Sequence, residues 1–152
     1  MRPPYVALCG PADADAAVER TAERVGRLVA ERGWVLVTGG LGGAMAAAAR
    51  GAAEMGGTVV ALLPGSDRAA ASPGHTVAIA TGMGEMRNAL LVRTVDAVIA
   101  VGGSWGTLSE IALAARTGVP VFSVESFDLP GDGVVACTDA DDAVARVAGE
   151  LG

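Results

Sequence analysis

At 152 residues the chain is long enough to bury about two-thirds of the surface its unfolded form would expose, and it reads as one domain over residues 1–152. A net charge of −6 and a sequence pI near 4.6 give no basic footprint for a polynucleotide, while a charged fraction of 18%, against roughly 25% in average soluble domains, leaves apolar surface for a partner subunit. All eleven cationic side chains are arginine, so neither a Walker A loop nor a pyridoxal phosphate Schiff base can be built.

Tyr5–Cys9 (YVALC) is the first short apolar run, too short for a signal peptide h-region. Val18, Ala22, Val25 and Val29 then recur at helical spacing up to Gly33. Trp34–Thr38 is a second run, followed by the glycine corner Thr38–Gly43 and an alanine-rich helix over 43–56. Thr58–Leu63 and Thr76–Ala80 are the third and fourth runs, separated by a turn-rich loop over 66–74. The corner Gly82–Gly84 leads into a helix over 87–95, and Ala97–Val101 is the fifth run. Gly102–Gly106 opens a helix predicted over 107–117. Val121–Val124, a loop over 125–133, Val134–Cys137 and a helix over 139–151 close the chain. Near-continuous Val/Ile/Ala runs are the pattern of strands buried on both faces of a parallel sheet. Their alternation with helices predicts a three-layer, doubly wound Rossmann-like α/β fold.

In that architecture ligands bind outside the carboxyl ends of the strands, where the strand order reverses. Three glycine-rich corners fall on that edge. Each offers close backbone approach and free N–H groups at a helix start, which suit an anion. Gly39, Gly40, Gly42, Gly43, Gly82, Asn88, Gly103, Ser104, Trp105, Gly106 and Thr107 are therefore candidate phosphate- or nucleotide-binding residues. The dinucleotide spacing G-x-G-x-x-G is not met, because Met45 and Arg87 stand where its last glycine would. Arg87 is placed to bind phosphate or orient a substrate, or to pair with Glu85 or Glu110. Asn88 beside it is the only asparagine in the chain. Thr107 followed by Glu110 has the spacing of a capping box, and Glu110 can also support positive charge at a sugar, act as a nucleophile or activate water. His75, the only histidine, reads as a loop residue. Cys9 reads as an inert buried thiol bordering the crevice with Gly10, and Cys137 carries no signal. No metal-ligand spacing occurs.

The segments VTGGLGGAMAAAARGAAEMGGTVVALLP (37–64) and GMGEMRNALLVRTVDAVIAVGGSWGTLSE (82–110) resemble the LOG-like Rossmann superfamily, whose members were often labelled lysine decarboxylases. The absence of lysine rules that chemistry out here. The best-characterised LOG enzymes are cytokinin riboside 5'-monophosphate phosphoribohydrolases, with a P-G-G-x-G-T-x-x-E stretch and an upstream M-x-x-R-K. The family arginine falls on Arg87 and the glutamate on Glu110, so the resemblance implies that these two are catalytic. Gly102 replaces the motif proline, Ser104 its second glycine and Asn88 the lysine. In these respects the chain is closer to the branch that includes molybdenum cofactor carrier proteins.

The resemblance implies a protein that binds a nucleoside 5'-monophosphate-like ligand and hydrolyses its N-glycosidic bond to free base and ribose 5-phosphate. The alternative is a noncatalytic nucleotide-binding or molybdenum cofactor carrier protein using the same mouth, and a third reading is a scaffold that oligomerises. No cofactor is required on the first reading, and a bound nucleotide or molybdenum cofactor fits the second. A cytoplasmic homodimer or higher homo-oligomer, with neither nucleic acid nor membrane as partner, completes the expectation.

Overall fold

The computed structural model describes residues 2–152; Met1, the first residue of the predicted 1–152 span, lies outside them. Seven strands, β1 (Tyr5–Cys9), β2 (Val35–Thr38), β3 (Val59–Leu63), β4 (Val77–Ala80), β5 (Ala97–Val101), β6 (Val121–Val124) and β7 (Val134–Cys137), form one sheet in the order β4-β3-β2-β1-β5-β6-β7. Every pairing is parallel. Helices α1 (Ala16–Glu31), α2 (Ala44–Glu54), α3 (Arg87–Thr94) and α4 (Trp105–Arg116) lie in the crossovers between strands, and α5 (Ala140–Leu151) follows β7. The fold is the predicted Rossmann-like one.

Period-two alternation along each strand divides the core into two layers. Val6, Leu8, Leu36, Val59 and Ile99 face α1, α2 and α5, packing on Val25, Val29, Ala48 and Val144. Ala7, Cys9, Val37, Val98 and Ala100 face α3 and α4, packing on Leu91, Val92, Ile111 and Ala114. Helix α1 begins where Asp15 accepts the N–H of Val18 at 2.9 Å, an N-cap that satisfies one of the first turn's unpaired donors.

The strands at the sheet's margins depart from the expectation of burial on both faces. β1, β2, β5 and β6 are buried, apart from Tyr5 at the start of β1. In β4, however, Val77 and Ile79 remain 44% and 45% exposed, because β4 has one neighbour and no helix over those side chains. No helix among the described residues is long and apolar enough to cross a membrane.

The chain leaves β1 toward β2 on one side and returns to β5 on the other. The loops after β1 and β5 therefore diverge, opening a crevice at their carboxyl ends. Gly10 lies on one side of this opening and Gly102 on the other.

Candidate functional site

The corner after β5 is built differently from the sequence expectation. Helix α4 starts at Trp105, two residues before the predicted Thr107, and its N-cap is Ser104. The Ser104 hydroxyl accepts the Thr107 N–H at 3.2 Å and meets the Thr107 hydroxyl at 3.0 Å. Thr107 is thus the third helical residue, and Glu110 lies in the second turn, out of reach of the helix start. The predicted Thr107–Glu110 capping box does not form. Its place is taken by Ser104, whose extended backbone suits an N-cap, and Glu110 is left with no capping role. Gly102 holds φ at +66°, a value outside the range of proline, whose ring fixes φ near about −65°. The replacement of the motif proline is therefore a change of backbone path.

None of Gly103, Ser104, Trp105 and Gly106 donates its backbone N–H to a protein acceptor among the described residues. Unpaired N–H groups at a helix start, with the positive end of the helix dipole behind them, form an anion site. Of these four residues, Ser104 and Gly106 line a cleft of about 160 Å³, together with Gly10, Ala12, Leu41, Met45, Arg87, Asn88, Thr107 and Glu110. A Cβ built on Gly106 would meet nothing nearer than the Ser104 hydroxyl at 3.8 Å. The missing side chain there leaves room for a ligand rather than for protein.

Arg87 is buried at the start of α3, with its guanidinium held by the protein. Nη1 donates to the carbonyls of Gly39 (2.7 Å) and Leu62 (2.6 Å), and Nε donates to Asn88 Oδ1 (3.1 Å). Arg87 thus ties the ends of β2 and β3 to α3. The sequence alternative of an ion pair with Glu85 or Glu110 is not realised: Arg87 forms no ion pair among the described residues. Asn88 Nδ2 in turn donates to the Ser109 hydroxyl (2.9 Å), which donates to the Gly106 carbonyl (2.8 Å). A chain of hydrogen bonds thus runs from α3 to the mouth of α4.

Glu110 is 8% exposed. Burial pushes its carboxyl up to about 7, and the nearby Arg87 charge and Cys9 thiol only partly oppose this. The Cys9 thiol is itself pushed well up, first by burial and then by Glu110. It stays protonated, a poor nucleophile. Burial also lowers the Arg87 guanidinium, with Glu110 opposing, but arginine remains charged.

The other two corners contribute less to the cleft than the sequence suggests. Gly39, Gly40, Gly42 and Gly43 do not line it, and that corner presents Leu41 and Met45 instead. Gly39 passes close against Arg87, and a Cβ at Gly40 would meet Leu63 and Ala61. The Gly40 N–H donates to Thr38 Oγ1 at 2.9 Å. That hydroxyl also meets His75 Nε2 at 2.7 Å, while His75 Nδ1 reaches the Ser72 carbonyl at 2.9 Å. Burial lowers the His75 pKa, which favours the neutral imidazole, and the ring ties its loop to the corner. Gly82 lies beyond β4, its N–H on the Gly65 carbonyl at 2.9 Å, and it is not brought to the cleft. Gly103 packs on the Phe127 ring.

Trp105 is absent from the cleft but lines a groove of about 320 Å³ beside it, with Glu85, Asn88, Gly106, Ser109 and Leu113. The two spaces share Asn88 and Gly106. Ala12, Leu41, Met45 and Leu113 carry no chemistry that a sequence reading could flag, whereas Glu85 enters the sequence reading only as a pairing partner for Arg87, and Ser109 joins it only once α3 and α4 are side by side. The inner cleft is smaller than the roughly 300–1,000 Å³ of typical ligand pockets, and the groove beside it adds about 320 Å³.

The family model described as the SLOG cluster4 family matches residues 3–148. A solved molybdenum cofactor binding protein from the phototrophic bacterium Rippkaea orientalis is similar, with a TM-score of 0.95 and 32% identity over 100% of this chain and 99% of that one. The molybdenum cofactor carrier protein of Chlamydomonas reinhardtii gives a TM-score of 0.89 and 31% identity over 99% of both chains. An uncharacterized protein of Archaeoglobus fulgidus is 44% identical over 125 residues, 82% of each chain.

Proposed function

We propose, from the premise that this chain belongs to the SLOG cluster4 family, that it binds a phosphorylated heterocycle and carries it without breaking its bonds. A cargo of the molybdenum cofactor type, a phosphorylated pterin, agrees with the ligand named for the two solved relatives. The observation that carries this reading is the run of four unpaired N–H groups at 103–106, open to solvent above Gly106. Such a nest suits a terminal phosphate. Ser104 and Thr107 add hydroxyls at its rim, and Leu41 and Met45 form an apolar opposite wall.

The state of Arg87 favours carriage over hydrolysis. Both protons of Nη1 and that of Nε are occupied by Gly39, Leu62 and Asn88, so the guanidinium serves the scaffold before it serves a ligand. Asn88 brings no second cation to stabilise charge at a breaking bond. One observation supports phosphoribohydrolase action as a second reading. Glu110, buried at the cleft with a pKa of about 7, has the value expected of a general acid or base near neutrality.

Titration calorimetry with ribose 5-phosphate, nucleoside 5'-monophosphates and molybdopterin, paired with chromatography for free base, tests the reading. Saturable binding with no base released is the expected result. Base release by the wild type that is lost in Glu110→Gln establishes the hydrolase instead, and absence of binding by every phosphorylated compound overturns the phosphate site.

A further inference from the structure

The groove beside the phosphate cleft has an unusual arrangement of polar groups. Its floor is closed on itself: Asn88 Nδ2 donates to Ser109 Oγ, and Ser109 Oγ donates to the Gly106 carbonyl. Leu113 supplies an apolar patch. Trp105 lines the groove with its ring 86% exposed, a large apolar surface. Glu85 lines the same groove, an exposed carboxylate that forms no ion pair or side-chain hydrogen bond among the described residues. An ionised carboxylate only accepts hydrogen bonds. A planar ligand lying on the indole is therefore read by an acceptor pair, and its facing edge must donate.

We propose that this groove is a subsite for a planar heterocycle with a ring N–H beside an exocyclic amino group, the edge shared by guanine and pterins. The ring stacks on Trp105 and the edge donates two hydrogen bonds to Glu85. Adenine presents a bare ring nitrogen beside its amino group, so one carboxylate oxygen would face a lone pair. Aromatic stacking tolerates either base, whereas a paired carboxylate contact discriminates between them. Because the groove shares Asn88 and Gly106 with the cleft, one ligand can span both. The inference rests on the phosphate reading of the cleft and extends it to the class of base.

Ribose 5-phosphate, AMP and GMP, titrated into the wild type, Glu85→Gln and Trp105→Ala, separate the two levels. The wild type is expected to bind GMP at least tenfold more tightly than AMP. Glu85→Gln should bring GMP to the AMP value, and Trp105→Ala should weaken both nucleotides about tenfold, with the loss confined to ligands that carry a base. Equal affinity of the wild type for GMP and AMP, or a GMP preference that survives Glu85→Gln, overturns the subsite while ribose 5-phosphate binding keeps the cleft. Failure of all three compounds to bind overturns the phosphate reading and the subsite with it.

Discussion

Two corners of the molecule look alike in sequence, Thr38–Gly43 after β2 and Val101–Gly106 after β5, yet their glycines do different work. In the first, the backbone is pressed against protein. Gly39 O accepts from Arg87, Gly40 O accepts from Ser72 N, and Ala44 N donates to Pro11 O at 3.0 Å. In the second, the N–H groups from 103 to 106 face no protein acceptor, and the space above Gly106 is open. A glycine-rich strand end thus signals close approach of something to the backbone, but not whether that something is the protein itself or a ligand.

Substitution at Gly43 should show the structural corner at its strongest. Gly43 holds φ +58° and ψ −126°, a combination that L side chains rarely adopt, and a Cβ there would run into the carbonyl oxygens of Pro11 and Ala12. Backbone strain and backbone clash together predict that Gly43→Ala costs about 4 kcal/mol of stability, measured by urea unfolding. A loss below about 1 kcal/mol would erase the contrast between the corners.

Glu110 lies beneath the second corner and should reveal a stability cost there. Its carboxyl is raised from 4.5 to about 7 by burial, so the folded state holds a proton that the unfolded chain releases. Stability is therefore fully present below pH 4.5 and falls as pH rises from there through about 7. At about 1.4 kcal/mol per pH unit the total is about 3 kcal/mol. Glu110→Gln should match the wild type near pH 4.5 and exceed it by about 3 kcal/mol at pH 8, read from urea midpoints at both pH values. His75 titrates in both proteins, so its contribution cancels from the difference. Identical pH profiles for the two would show that no protonated carboxyl is buried there. Removing Ser104 Oγ should have a smaller effect. Ser104→Ala loses the cap on Thr107 and should cost about 1 kcal/mol; no change in the unfolding midpoint would return the helix start to Thr107.

The sequence made one half of this contrast legible. Near-continuous apolar runs marked every strand, and the glycines after β2 and β5 fell at the carboxyl ends of their strands, although only the second corner lines the cleft. Burial of Arg87 and Glu110 was hidden, because both are charged residues on helices whose packing partners come from distant strands. The start of α4 was misplaced because two hydroxyl residues, Ser104 and Thr107, stand three apart and each can cap a helix. Local propensity does not choose between them, whereas the path imposed by Gly102 does. Likewise β4 has the composition of a buried strand, and only the strand order shows that Val77 and Ile79 lie at an open edge. The LOG-like resemblance holds at the level of the family, while the three motif departures fall where the backbone path, the cap of α4 and the hydrogen bonding of Arg87 are decided.

Gly106→Ala is the smallest change and the sharpest test of the contrast. Gly106 is the second residue of α4, and its Cβ position is free of protein to 3.8 Å. In a helix alanine is preferred to glycine by up to about 1 kcal/mol, so the substitution should leave stability unchanged or raise it slightly. The new methyl group would stand in the mouth of the phosphate cleft, and ribose 5-phosphate affinity should fall about tenfold, equivalent to about 1.4 kcal/mol. Gly43→Ala should do the reverse, losing stability first and binding only as a consequence. If Gly106→Ala is as stable as the wild type and binds the phosphate equally well, the open space above the second corner is not where the ligand lies, and the two corners are alike after all.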